Sequence, residues 1–135
     1  MSKFIKRIQK TVKKILDNVV VIGADQKNIE NMIGGFNTVF CINYAHQLPR
    51  YKNVIPIQDH SFLNELQTID IIFLNTNYDA GVFQFIPSIV RKSAPVIFLH
   101  KDLVLSTEYI DFFRRIRYEQ ITVVDDYQVW KIIRK

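Results

Sequence analysis

Residues 69–74 read Ile-Asp-Ile-Ile-Phe-Leu, and residues 95–99 read Pro-Val-Ile-Phe-Leu. Short apolar runs of this kind, bounded by polar residues and proline, have the pattern of strands buried on both faces. Between them Val82, Phe83, Ile86, Ile89 and Val90 keep helical spacing. Pro87 either kinks that helix or opens its second half. A buried strand, a helix and a second buried strand make a parallel βαβ unit. The run from Ile69 to Leu74 is the most apolar and is expected at the centre of the sheet.

Upstream, Val19 to Ile22 is another continuous apolar run, and it ends at Gly23. Ile29, Met32 and Ile33 then keep helical spacing up to Gly34-Gly35, which stops the helix. Thr38 to Ile42 reads as a second strand and Asn53 to Ile57 as a third. The third belongs near an edge, because Pro56 cannot donate to a ladder. Ser61 can cap a helix carrying Phe62, Leu63 and Leu66. Downstream, Ser106 or Thr107 caps a helix bearing Tyr109, Ile110, Phe113 and Ile116, with Arg114, Arg115 and Arg117 at its negative end. Gln120 to Val124 and Tyr127 to Ile133, joined by Asp125-Asp126, read as a hairpin. The fold expected is a doubly wound, Rossmann-like α/β domain. It has a mostly parallel sheet and a C-terminal antiparallel hairpin, and an N-terminal amphipathic helix precedes it.

The 135 residues suit one compact domain over residues 18–135, preceded by a helical segment over residues 1–17. With 48% hydrophobic residues a packed core is readily built, which excludes a globally disordered chain. A single cysteine, Cys41, excludes an internal disulfide framework and a Cys-rich metal site. No run approaches the roughly 18 apolar residues of a spanning helix. The first residues lack the apolar stretch of a signal peptide. A cytoplasmic location is expected, or one within a viral or other intracellular assembly, and the chain is not expected to be secreted.

The net charge of +5 is unevenly placed. Lys3, Lys6, Arg7, Lys10, Lys13 and Lys14 fall within the first sixteen residues with no acid among them, leaving 12 basic and 13 acidic residues elsewhere. Phe4, Ile5, Ile8, Val12, Ile15 and Leu16 form an apolar stripe on the other side of the same helix. That stripe can cover the domain's own sheet while the lysines stay solvated. Alternatively it can dock on a protein partner or a second copy of the chain. The basic residues offer a surface to nucleic acid or an anionic membrane, although no aromatics interleave with them as stacking platforms.

In a doubly wound sheet, ligands bind outside the carboxyl ends of the strands. Gly23-Ala24-Asp25 follows the first strand, Asn43-Tyr44 the second and Asp59-His60 the third. Asn75, Asn77, Tyr78 and Asp79 follow the fourth, and His100-Lys101-Asp102 the fifth. The first loop lacks the second glycine of a G-x-G turn, which disfavours close approach of a nucleotide. Asp59-His60 is a candidate acid–base pair or adenine contact, against a plain loop and capping role. His100 with Asp102 is a candidate for proton transfer, against the plainer reading of a loop histidine. His46, His60 and His100 have no short metal-ligand spacing. Cys41, inside an apolar strand, reads as a core residue.

The stretch from Gln58 to Asp102, QDHSFLNELQTIDIIFLNTNYDAGVFQFIPSIVRKSAPVIFLHKD, resembles the middle of the class I S-adenosylmethionine-dependent methyltransferases, and most of all the small-molecule O-methyltransferase type. Leu74 to Val82 stands where that group reads D-G-D-H-x-Y-x-x-V, and Leu99 to Asp102 stands where a strand ends in H-D. The terminal hairpin matches the last strands of that fold. The resemblance implies a cofactor site at Gly23, Asp25, Asn43, Asp59 and Asn75, with Asp59 near the adenine. If the chain is active, it places His100 or Asp102 near the methyl acceptor. The departures point the other way. Asn75 and Asn77 replace both metal-binding aspartates, and neutral carbonyls hold a divalent cation poorly. Asn43 replaces the ribose-binding acid. The resulting expectation is a degenerate methyltransferase-like domain, a non-catalytic binding or structural component attached through its basic helix, with no cofactor firmly expected and no resident metal. The alternative is an active enzyme using S-adenosylmethionine with an atypical cofactor loop.

Overall fold

The computed structural model describes residues 3–12, 18–23, 36, 38–42, 53–57, 65–66, 68–75, 85–103 and 106–133. In chain order these form α1 (Lys3–Val12), β1 (Asn18–Ile22), β2 (Thr38–Ile42), β3 (Val54–Pro56) and β4 (Ile71–Leu74). Then follow α2 (Ile86–Ser93), β5 (Val96–His100), α3 (Ser106–Arg115), β6 (Tyr118–Val124) and β7 (Tyr127–Ile132). The helices expected around Ile29 to Ile33 and from Ser61 through Leu63 lie outside the described residues.

The strands form one sheet in the order β3-β2-β1-β4-β5-β7-β6. β1 to β5 run parallel, and β7 returns antiparallel to both β5 and β6. β4 holds the middle position with all four residues buried, as its apolar run requires. β3 is an edge strand, and Pro56 is tolerated there.

The apolar runs are continuous because alternate residues feed two cores. Val19, Val21, Phe73, Phe98 and Val129 face one side, while Val20, Ile22, Ile72, Ile97 and Leu99 face the other. The second side is covered by α2 through Ile86, Ile89 and Val90, and by α3 through Tyr109 and Phe113. Trp130 is buried there against Phe113, with ring centroids 5.9 Å apart.

Pro87 opens α2 rather than kinking it, since its missing N–H falls in the first turn, where helical amides have no partner. That helix closes with Ala94 in the left-handed region at φ 45°, its N–H bonded to the Val90 carbonyl at 2.9 Å. The first hairpin strand is longer than the sequence pattern shows, and the second ends one residue earlier, at Ile132. β6 begins at Tyr118, whose hydroxyl donates to the Pro95 carbonyl at 2.8 Å and ties the strand to the foot of β5. Asp125 takes φ 51° in the two-residue turn, a position that aspartate tolerates in tight hairpins.

α1 lies on the first side. Ile8 is fully buried and shares a core with Val19, Val21, Val124 and Tyr127. Its apolar stripe therefore covers this domain's own sheet at Ile8, the first of the uses the sequence offers. Lys3, Lys6, Arg7 and Lys10 are exposed, and Arg7 pairs with Asp125 in the hairpin turn. Lys13 and Lys14 lie outside the described residues. Among the described residues, no helix is long and apolar enough to cross a membrane.

Candidate functional site

The strand order reverses between β1 and β4. From β1 the chain proceeds outward to β2 and β3, and then crosses back to β4 on β1's other side. Such a switch point opens a crevice outside the carboxyl ends of the two strands. Gly23 and Asn75 flank it. Gly23 follows β1 with φ 77°, where a side chain would be strained, and its N–H donates to the Ile42 carbonyl at 3.1 Å. Asn75 follows β4, and its N–H donates to the Ile22 carbonyl at 3.0 Å, which extends the β1–β4 ladder by one bond.

The Asn75 side chain is buried, at 3% exposure, and is the only polar or charged residue so buried among the described residues. The Tyr127 hydroxyl donates to its Oδ1, while its Nδ2 has no partner among the described residues. A buried amide donor left unpaired costs about 1–3 kcal/mol, so this group is one that a ligand acceptor would satisfy.

Tyr127 is the functional candidate that the sequence pattern does not single out. It is the first residue of β7 and pairs across the ladder with His100, the last residue of β5. The antiparallel return thus brings the start of β7 to the crevice end of the sheet. The available signal was the two-residue turn, which sets Tyr127 as the first residue of β7. Its ring packs edge-on against His100 at 5.3 Å and against Phe73 at 5.5 Å, and these contacts fix where its hydroxyl points.

His100 is half-buried, and its Nδ1 accepts the Asp102 main-chain N–H at 3.1 Å. The bond between these two residues therefore runs through the backbone of Asp102, whose side chain is exposed. With Nδ1 accepting, a neutral His100 carries its proton on Nε2 and presents a donor. Beside it Lys101 pairs with Asp126 at 3.3 Å. The structure thus brings Asn75 and Tyr127 into a hydrogen bond and sets His100 beside them, with Gly23 across the switch point. Asp25, Asn43, Asp59, His60, Asn77, Tyr78 and Asp79 lie outside the described residues. Cys41 is buried in β2, and burial pushes its thiol from 9.0 up to about 12, which keeps it protonated and unreactive.

No protein-family model matches the chain, and no curated protein sequence matches it. Solved structures do. A precorrin-6y C5,15-methyltransferase from Geobacter metallireducens aligns with a TM-score of 0.59 at 17% identity, covering 85% of this chain and 71% of the other. A precorrin 8w decarboxylase from Methanobacterium thermoautotrophicum aligns at 0.61 and 14%, over 96% and 89%. An rRNA methylase from Streptococcus thermophilus aligns at 0.58 and 14%, over 98% and 99%. The chain has a methyltransferase-like fold. Likeness at these identities establishes the architecture of a methyltransferase-like domain and nothing finer.

Proposed function

We propose that this methyltransferase-like domain binds S-adenosylmethionine in the crevice between β1 and β4 and acts as a methyltransferase. The observation that carries the proposal is the buried Asn75 amide at the switch point, whose Nδ2 has no partner among the described residues and whose Oδ1 is held by Tyr127. A ligand offering a carbonyl, hydroxyl or ring-nitrogen acceptor would complete that group. Gly23, at φ 77° and without a Cβ, allows a bound molecule to approach the end of β1 closely. Asp25, Asn43 and Asp59 follow the neighbouring strands in sequence. In this reading they take the remaining cofactor contacts, Asn43 at a ribose hydroxyl and Asp59 near the adenine.

The cofactor supplies an electrophilic methyl group on a sulfonium. The protein's part is to hold and orient. Asn75 donates through Nδ2, Tyr127 keeps that amide from turning, and His100, packed against Tyr127, would stand near the methyl acceptor. The neighbours whose names carry precorrin and rRNA share this architecture, so the fold by itself selects no acceptor.

A second reading, the non-catalytic component, draws on Asn43, Asn75 and Asn77 standing where the resembling family places acids, and on the single loop glycine. A thermal-shift titration separates the two. S-adenosylhomocysteine in excess of its Kd raises the melting temperature by mass action if the crevice is a cofactor site, and ATP does not. A melting temperature that S-adenosylhomocysteine leaves unshifted would favour the second reading.

A further inference from the structure

We infer that the outward ridge of α1 is a binding surface for the phosphodiester backbone of nucleic acid. Lys3, Lys6, Arg7 and Lys10 stand at i, i+3, i+4 and i+7, which is one face of a helix, and all four are exposed. The helix carries no acid along its length. At 1.5 Å of rise per residue, the ridge presents positive charge every ~5 Å over roughly 10 Å. That spacing matches a linear, repeating polyanion better than a single point anion.

The opposite side of the helix decides against other partners. Ile8 is fully buried in the core with Val19 and Val21. An interfacial membrane helix needs its apolar face for the bilayer, and a stable protein interface needs an apolar centre. On this helix that face is turned to its own sheet at Ile8. Among the described side chains of α1, those turned outward are all charged, and charge alone suffices for sequence-independent binding to phosphates.

The ridge also has a position relative to the crevice. Arg7 pairs with Asp125 and Lys101 with Asp126, so both acids of the hairpin turn are countered. The next residue is Tyr127, which holds Asn75. A strand lying along α1 therefore meets no unpaired acid from that turn on its way to the crevice rim. The surface stands on its own, whether or not the crevice carries chemistry.

The test is fluorescence anisotropy of labelled oligo(U) and oligo(dT) with the full chain, unliganded, across a salt series. Three lysine–phosphate contacts predict a log–log salt slope of about −2 and a roughly 20-fold weakening between about 50 and 200 mM salt. The variant K3Q/K6Q/K10Q should lose about tenfold or more in affinity at low salt. The control R91Q/K92Q/R114Q removes the same charge from exposed positions on α2 and α3, over the sheet's other side, and should change affinity by no more than about twofold. Melting curves confirm that both variants fold. Binding to both oligonucleotides, or to the RNA alone through its 2′-hydroxyls, supports the inference. Three results would overturn it: no anisotropy change at low salt, equal loss in the two variants, or capture by phosphatidylserine vesicles with no binding to either oligonucleotide.

Discussion

The Tyr127 hydroxyl donates to the buried Oδ1 of Asn75 across 52 residues of sequence, joining the start of β7 to the end of β4 at the mouth of the crevice. This bond fixes which way the Asn75 amide faces. It turns the carbonyl oxygen toward the hairpin and leaves the NH2 as a donor.

Tyr127→Phe keeps the ring contacts with Phe73 and His100 and removes only the hydroxyl. Oδ1 is then buried without its donor, at a cost of about 1–3 kcal/mol. Urea unfolding should show that loss as a lower midpoint with an unchanged slope. S-adenosylhomocysteine affinity should fall in parallel, because the amide is free to turn. A variant as stable as the parent and binding equally well would show that the bond orients nothing.

α1 should behave as part of the domain. Ile8→Ala empties a fully buried position in the core shared with Val19 and Tyr127, and should destabilise by about 2–5 kcal/mol. Lys6→Ala, on the exposed ridge, should stay within about 0.5 kcal/mol. Equal, small effects from both substitutions in denaturant titrations would mean that the helix is an appendage.

Cys41 gives a pH signature. Its thiol is raised from 9.0 to about 12 in the folded state, so between those values the unfolded chain loses a proton that the folded chain keeps. The folded state binds more protons there, and the contribution of Cys41 to stability falls as pH rises above 9.0, by at most about 1.4 kcal/mol per pH unit. The stability difference between wild type and Cys41→Ala should therefore be constant below pH 9.0 and shift steadily against wild type above it. At neutral pH a thiol reagent should label Cys41 only after unfolding. Rapid labelling of the native protein would contradict its burial.

The parts of the fold legible in the sequence are those whose signal is local. The runs around Ile71, Val96 and Val19 are apolar at every position because both faces of the sheet are covered, and Pro56 marks an edge by chemistry that no neighbour can override. Gly23 and Asn75 were legible as residues following strands. Tyr127 was not. Its role depends on β7 returning beside β5, a pairing of distant segments that no local pattern states. The part played by Ile8 had the same obstacle. An amphipathic stripe states that one side wants cover, and only the tertiary arrangement says that the cover is the chain's own sheet.

The sequence places Asp59 after β3, and its role follows from the methyltransferase reading alone. Asp59→Ala should weaken S-adenosylhomocysteine binding by about tenfold or more, equivalent to about 1.4 kcal/mol, without altering the melting temperature of the unliganded protein. Unchanged affinity would remove Asp59 from the cofactor site.

The most direct test of the central claim is isothermal titration of the full chain with S-adenosylmethionine and S-adenosylhomocysteine, with ATP as the control. A saturable, micromolar heat with both sulfur nucleosides, absent with ATP and abolished in Asn75→Leu, is the predicted result. No heat from either ligand, in protein whose melting curve shows it to be folded, would contradict the claim that the crevice between β1 and β4 is a cofactor site.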